Sequence, residues 1–188
     1  MANNTLIAIG AVVVVLLLVG IWAGATFNNF VALEQNIEGK QADLEAQYQR
    51  RVDLIPNVVN TVKGVAGFEQ ETLTELTQLR SQWQTQPEAR IDTANQIESA
   101  LSKLIIISEN YPELQATQAY RDLIIELEGT ENRVAFARTE YNNAVREYNT
   151  AIKKFPGNFI SGMFGFSEKK YFEANTGAEN APTVDFGK

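Results

Sequence analysis

Apolar residues are distributed along this chain in two distinct ways. From Leu6 to Ala25 they form an unbroken run, LIAIGAVVVVLLLVGIWAGA, with no charged side chain. Twenty residues at ~1.5 Å each span the ~30 Å hydrocarbon core of a bilayer. The Val-rich block Val12–Val19 is acceptable there, because a helix satisfies every backbone polar group internally. Trp22 and Phe27 fall near the far interface, where aromatic rings are favoured. The expectation is a transmembrane anchor over residues 1–26. A cleaved signal peptide is the competing reading, because Ala23-Gly24-Ala25 resembles a cleavage site. The lack of Lys or Arg in Met1–Thr5 and the length of the apolar run favour a retained anchor.

Beyond the anchor the pattern becomes periodic. Ile37, Leu44, Tyr48, Val52, Ile55, Val59 and Val62 recur at steps of three, four and seven, one face of a helix. No Pro stands between the anchor and Pro56, so the membrane helix is expected to continue into the first helix of the domain. Pro56 lies inside the pattern and removes one hydrogen bond, which predicts a kink rather than a stop. Gly64 and Gly67 mark the end. A second stripe follows at Phe68, Leu73, Leu76, Leu79 and Trp83. Gln86-Pro87-Glu88 reads as a turn and a new helix start, with Pro in the first turn and an acid at the positive end of the dipole. Ile91, Ala94, Ile97, Leu101, Leu104, Ile105 and Ser108 make the third stripe, and the second and third helices also read as one long kinked helix. Asn110-Tyr111-Pro112-Glu113 breaks the chain again. A long last helix carries Tyr120, Leu123, Ile124, Leu127, Val134, Tyr141, Val145, Tyr148 and Ile152 towards the core, and Pro156-Gly157 ends it. Long amphipathic helices with short connections predict an all-α chain: an antiparallel bundle of three to four helices over residues 27–155. An irregular, aromatic C-terminal tail is expected over residues 156–188.

Composition narrows the chemistry. The 188 residues include 23 acidic and 16 basic side chains, for a net charge of −7, and none of these precedes Glu34. A net acidic domain without a basic stripe does not fit nucleic acid, nor broad adhesion to an anionic lipid surface. There is no Cys and no His. Disulfides, thiol nucleophiles, Cys/His zinc sites and His-based acid–base chemistry are excluded.

Several motifs converge. Residues 50–59 read RRVDLIPNVV and residues 109–116 read ENYPELQA. Glu131, Arg138, Tyr141-Asn142, Tyr148-Asn149 and Phe155-Pro156 form a spaced series, followed by Gly165-Phe166 and Tyr171-Phe172-Glu173. With the N-terminal anchor, these residues resemble the LemA family over essentially the whole chain. The resemblance implies a helical bundle on one N-terminal membrane helix. The family also includes a magnetosome-membrane protein, which points to membrane organisation, but its biochemical function is poorly defined. One departure is Phe68-Glu69, where many members have His before Glu. A His-dependent role is therefore in doubt here.

The same residues read structurally. Glu131 and Arg138 are two turns apart, in line with Leu127, Val134 and Tyr141, which sets two charges on an apolar face. Arg51 and Asp53 sit beside Tyr48 and Ile55. An unpaired buried charge costs several kcal/mol, so an ion-pair layer that fixes helix register is expected, with Arg51 the first partner for Glu131 and Arg138 the alternative. A buried Glu131 would make Glu131→Ala cost about 3–5 kcal/mol. A di-iron carboxylate site would need Glu-x-x-His, and His is absent. Asn142 and Asn149, each after a Tyr, suggest an Asn layer between neighbouring helices. Gly20-Ile21-Trp22-Ala23-Gly24 is a GxxxG, which lets two membrane helices approach closely through Gly20 and Gly24. In the tail, Phe159, Phe164, Phe166, Tyr171 and Phe172 are the contact candidates: packing within the chain or on a neighbouring subunit is the preferred expectation, and dipping into the bilayer interface is the alternative.

No catalytic, cofactor-binding or metal-ligating set assembles from these residues. The function expected is a non-enzymatic membrane scaffold, homo-oligomeric through the membrane helix and the tail, in contact with lipid and without nucleic acid or cofactor. The alternative is an accessory or sensory subunit that binds another membrane protein or a cell-envelope component. The expected location is a bacterial inner membrane, crossed once. Lys40, Arg50 and Arg51 are the first positive side chains after the anchor, which favours a translocated N-terminus and a cytoplasmic domain.

Overall fold

A computed structural model describes residues 2–64 and 69–172. Gly67, Phe68, Glu173 and the rest of the tail, singled out above, lie outside the described residues. Among the described residues there is no strand, and the chain is all-helical. The helices run α1 (Ala2–Lys63), α2 (Gln70–Thr85), α3 (Arg90–Ser108), α4 (Pro112–Gln115), α5 (Gln118–Lys153) and α6 (Gly157–Phe164). A 3₁₀ turn, Pro87–Ala89, separates α2 from α3, so these are two helices rather than one kinked helix. The chain divides into two compact units. The division falls between Ala42 and Asp43 on α1, between Arg138 and Thr139 on α5, and between Tyr171 and Phe172.

The unit holding α2 and α3 is built on interlocking apolar stripes. From α1 it buries Tyr48, Val52, Ile55, Val58 and Val62. Pro56 lies within α1, which continues to Lys63. Val58 is fully buried there, and Val59, expected on the core face, is only half-buried. Helix α2 contributes Leu73, Leu76, Leu79 and Trp83, and packs against Ala94, Ile97, Leu101 and Leu104 of α3. Ile91, expected in the α3 stripe, is exposed in the first turn after the 3₁₀ segment. Leu123, Leu127 and Val134 come from α5. Each such side chain removed from water contributes about 1.5–3 kcal/mol, so this core rather than surface charge holds the unit together. Ser108 and Tyr120 share a buried hydroxyl–hydroxyl hydrogen bond near the α3–α5 connection.

The other unit pairs the earlier part of α1 with the end of α5 and with α6. It buries Phe30, Ile37, Tyr141, Val145, Tyr148, Ile152 and Ile160. The start of the expected tail is not irregular: Gly157–Phe164 is a helix. Helix α5 ends at Lys153, just before the expected stop at Pro156-Gly157, and the apolar spacing of Ile160 and Phe164 sustains one further helix. Gly157 permits a close approach, since a Cβ there would lie 3.1 Å from the Phe30 ring and from the Ala151 carbonyl oxygen. Gly165 closes α6 with φ of +79°, a left-handed conformation that costs a side-chain-bearing residue about 1–2 kcal/mol. From Leu6 to Val19 the large side chains of α1 are all exposed. This is the one helix among the described residues long and apolar enough to cross a membrane.

Candidate functional site

Two polar constellations stand out, one in each unit. In the unit with α2 and α3, Arg51 projects from α1 into the core and is only 2% exposed. Its Nη2 lies 3.5 Å from Glu131 Oε2 on α5, and its Nη1 lies 3.9 Å from Glu98 Oε1 on α3. Arg51 Nε and Nη1 have no hydrogen-bond partner among the described residues, so the guanidinium is held by charge more than by directed bonds. Glu98 also accepts a hydrogen bond from Arg138 Nη2, which places this carboxylate between two guanidinium groups. Arg138 Nε donates to the Tyr48 hydroxyl at 2.6 Å, and Nη2 reaches Asn95 at 3.4 Å. The Arg138 guanidinium also lies 4.8 Å from the Phe172 ring centroid, and Phe172 stacks on Tyr48 at 6.0 Å. Tyr48 in turn packs against Trp83, whose indole N–H donates to Gln49 at 2.7 Å.

The acid at the centre of this layer is therefore Glu98, which the sequence reading did not single out. Glu131 does touch Arg51, but its side chain is 57% exposed, against 21% for Glu98. The expectation that Glu131 is buried does not match this geometry. Its position in line with Leu127 and Val134 lies at the edge of the apolar stripe, where a long side chain reaches water. Asp53 is exposed and accepts a hydrogen bond from Gln49 at 2.8 Å, away from the layer. The signal for Glu98 was present in its spacing, one residue after buried Ile97 and three before Leu101, but only the fold brings Arg51 and Arg138 to it.

The charges and hydroxyls of this layer shift one another's protonation. Burial pushes the Tyr48 hydroxyl from 10.0 up to about 12, against the opposing pull of Arg138. Tyr48 is therefore protonated at neutral pH and does not act as a base. Burial works against the charged form of Arg138, but Tyr48 and Glu98 outweigh it and the net shift is upward. The carboxylates and guanidiniums face one another. Among the described residues no group of three or more acidic side chains is arranged to hold a metal ion.

In the other unit, Asn149 forms a two-point clasp. Its Nδ2 donates to the Lys169 carbonyl and its Oδ1 accepts from the Lys169 N–H, both at 2.9 Å. The partner is a backbone segment outside any helix rather than a neighbouring helix, unlike the expected Asn layer. Asn142 is half-buried on the same helix. Tyr141 donates to the Lys170 carbonyl at 3.1 Å, and Lys169 Nζ pairs with Glu34 at 2.5 Å. The hydrogen bond that Lys169 donates to Glu34 raises the pKa of Lys169, and burial only partly opposes it. Phe166 meets Phe27 and Phe30 edge-on at 5.4 and 5.3 Å, and Phe164 meets Phe27 at 5.0 Å. Of the expected tail contacts, Phe166 and Phe172 thus pack within the chain, whereas Phe159, Phe164 and Tyr171 remain largely exposed. Gly20 and Gly24 face open space, with no atom within 4 Å of an added Cβ.

The family model for the LemA family matches residues 40–186, beginning after the exposed apolar segment. The chain is 23% identical to magnetosome protein MamQ 2 of Paramagnetospirillum magneticum over 175 residues, covering 78% of this chain and 64% of that protein. It is 25% identical to magnetosome protein MamQ of Magnetospirillum gryphiswaldense over 174 residues, with the same coverage of 78% and 64%. Protein LemA of Metamycoplasma hominis is 24% identical over 154 residues, 79% of this chain and 69% of that one. The chain thus spans slightly under two thirds of the length of the magnetosome relatives. The motifs at Arg51, Glu131, Arg138 and Asn149 all fall inside the matched region, and on that match this chain belongs to the LemA family.

Proposed function

We propose that this chain is a membrane-anchored, non-enzymatic helical scaffold that associates with copies of itself and organises or shapes the membrane it occupies. The observation that carries the reading is the N-terminal part of α1. Leu6, Ile7, Ile9, Val12 to Val19 and Ile21 are all exposed around the full circumference of the helix. A helix that is apolar on every side needs a surrounding apolar medium, and at this length a bilayer supplies it. Residues 27–155 would then form the bundle displayed beyond the membrane, on the cytoplasmic side of a bacterial inner membrane by the charge pattern. The polar groups of the Arg51–Glu98–Arg138 layer are engaged with one another, which supports a structural rather than catalytic role. Membership of one family with magnetosome proteins supports a membrane setting.

Self-association draws on Gly20 and Gly24, one turn apart with nothing packed against them. Helices in a bilayer associate through close packing at small residues. The test is the mass of the full-length chain in mild detergent and in nanodiscs. An oligomer that dissociates when Gly20→Ile and Gly24→Ile are combined, while helicity is unchanged, supports the scaffold. A monomer in both media overturns self-association. A single stoichiometric membrane-protein partner co-purifying with that monomer would support the accessory-subunit reading.

A further inference from the structure

Helix α6 leaves an apolar surface uncovered well away in sequence from the N-terminal run. From Phe155 to Ser167 the chain reads FPGNFISGMFGFS, with no charge. The helix buries Gly157, Ile160 and Ser161. Its other side carries Phe159 and Met163, one turn apart and 63% and 75% exposed, and Phe164 at 55%. Phe155, 80% exposed, packs edge-on against Phe159 at 5.9 Å. Each such side chain gains about 1.5–3 kcal/mol on leaving water, and a contiguous patch of this kind marks an interaction surface.

Two contacts fix the level of α6 along α1. Its first residue, Gly157, lies against the Phe30 ring, and its last, Phe164, lies against Phe27. Phe27 and Phe30 stand roughly 3 and 7.5 Å along the helix axis beyond Ala25, the last residue of the apolar run. The headgroup layer on each side of a bilayer is about 5–8 Å deep. Both ends of α6 therefore fall within that layer. The seven residue steps of α6 cover roughly 10 Å, whereas its two contact points differ by only ~4.5 Å along α1. For an α1 that crosses near the bilayer normal, α6 lies closer to the plane of the interface than to the normal.

We propose that α6 is a second membrane-contacting element, an interfacial helix that lays Phe159, Met163 and Phe164, with Phe155, into the boundary between headgroups and acyl chains. This rests on the reading of residues 6–25 as a membrane span. The apolar part of the lipid is the occupant. Lys153 is paired with Glu168 at 2.7 Å and Lys169 with Glu34 at 2.5 Å, which leaves Lys154 and Lys170 exposed beside α6, and two cations fall short of the cluster of about four to eight that anionic headgroups recognise. An interfacial helix of this kind binds through its buried apolar area.

The chain has no Cys, so a single introduced thiol is a unique label site. Four variants of the full-length chain carry an environment-sensitive fluorophore in nanodiscs: Met163→Cys, Phe159→Cys, Val13→Cys as the in-membrane reference, and Asn143→Cys as the aqueous reference. Nanodisc lipids carry bromine either near the top or near the middle of the acyl chains, in neutral and in anionic mixtures. The expected result is blue-shifted emission at 163 and 159, quenched more by the shallow bromines than by the deep ones, to the same extent in both mixtures. Labels at 163 and 159 that emit like the one at 143, with the one at 13 quenched, overturn the proposal. A blue-shifted label at 163 that no brominated lipid quenches also overturns it, in favour of cover by a second copy. An unquenched label at 13 overturns the membrane span itself, and this inference with it.

Discussion

Removing the charge of Glu98 tests the electrostatic logic of the buried layer. Glu98→Gln keeps the shape and leaves Arg51 and Arg138 without their shared counter-charge. At 3.9 Å and an effective dielectric constant near 20, the Arg51–Glu98 attraction alone amounts to about 4 kcal/mol. Water reaches one fifth of the Glu98 side chain, and Glu131 still offsets part of the Arg51 charge, so the full figure is not realised. Removing one member of a buried pair costs about 3–5 kcal/mol, and discounting for this exposure gives about 2–4 kcal/mol for Glu98→Gln. Glu131→Gln, at a largely solvated side chain, is expected to cost at most ~1 kcal/mol. For a chain of this size each kcal/mol shifts the midpoint by roughly 2–4 °C. Thermal unfolding of the full-length chain in nanodiscs, followed by helical circular dichroism, therefore separates the two variants. The double variant should lose more than the sum of the singles, because Arg51 then has no acid left. If Glu131→Gln proves as costly as Glu98→Gln, Arg51 is balanced from the α5 side and the reasoning fails.

Two further outcomes follow from the geometry. Asn149→Ala removes both hydrogen bonds to the Lys169 backbone and should cost about 1–3 kcal/mol, with faster trypsin cleavage at Lys169 and Lys170; an unchanged cleavage rate would show that the clasp does not hold this segment. The Tyr48 hydroxyl has a pKa of about 12 in the fold and 10.0 as its ordinary value, so folding favours its protonated form. That contribution is intact below about pH 10 and is lost as pH rises through 12, by roughly 3 kcal/mol for two pKa units. Urea unfolding between pH 8 and 12 measures it, and Tyr48→Phe should flatten this part of the profile; identical profiles for the two chains would rule out Tyr48 as its source.

Much of the architecture was legible in the chain because it depends on local periodicity. The apolar run before Thr26 needs no partner to be recognised, since its length and lack of charge are properties of the segment itself. The stripes Leu73–Trp83 and Ala94–Leu104 also declare their buried faces, because a helix brings residues three and four apart together whatever it packs against. The breaks at Pro87, Pro112 and Pro156 follow from the missing N–H of proline.

Long-range juxtaposition is a different matter. Periodicity marks a stripe but not its edges, so Glu131 and Glu98 look equally near an apolar face. Which one meets Arg51 out of water depends on three helices packing together, and the structure favours Glu98. Asn149 announces a polar group on a core face, yet its partner is the backbone of Lys169, which carries no side-chain signature at all. The sequence determined the membrane-length helix, the helical elements and the presence of buried charge, because those are sums of local preference. Only the tertiary structure decided which charges neutralise one another, that the aromatic segment folds into α6, and that α6 sits beside the end of the apolar run. Those outcomes depend on distances between residues far apart in the chain, which packing sets and local pattern does not encode.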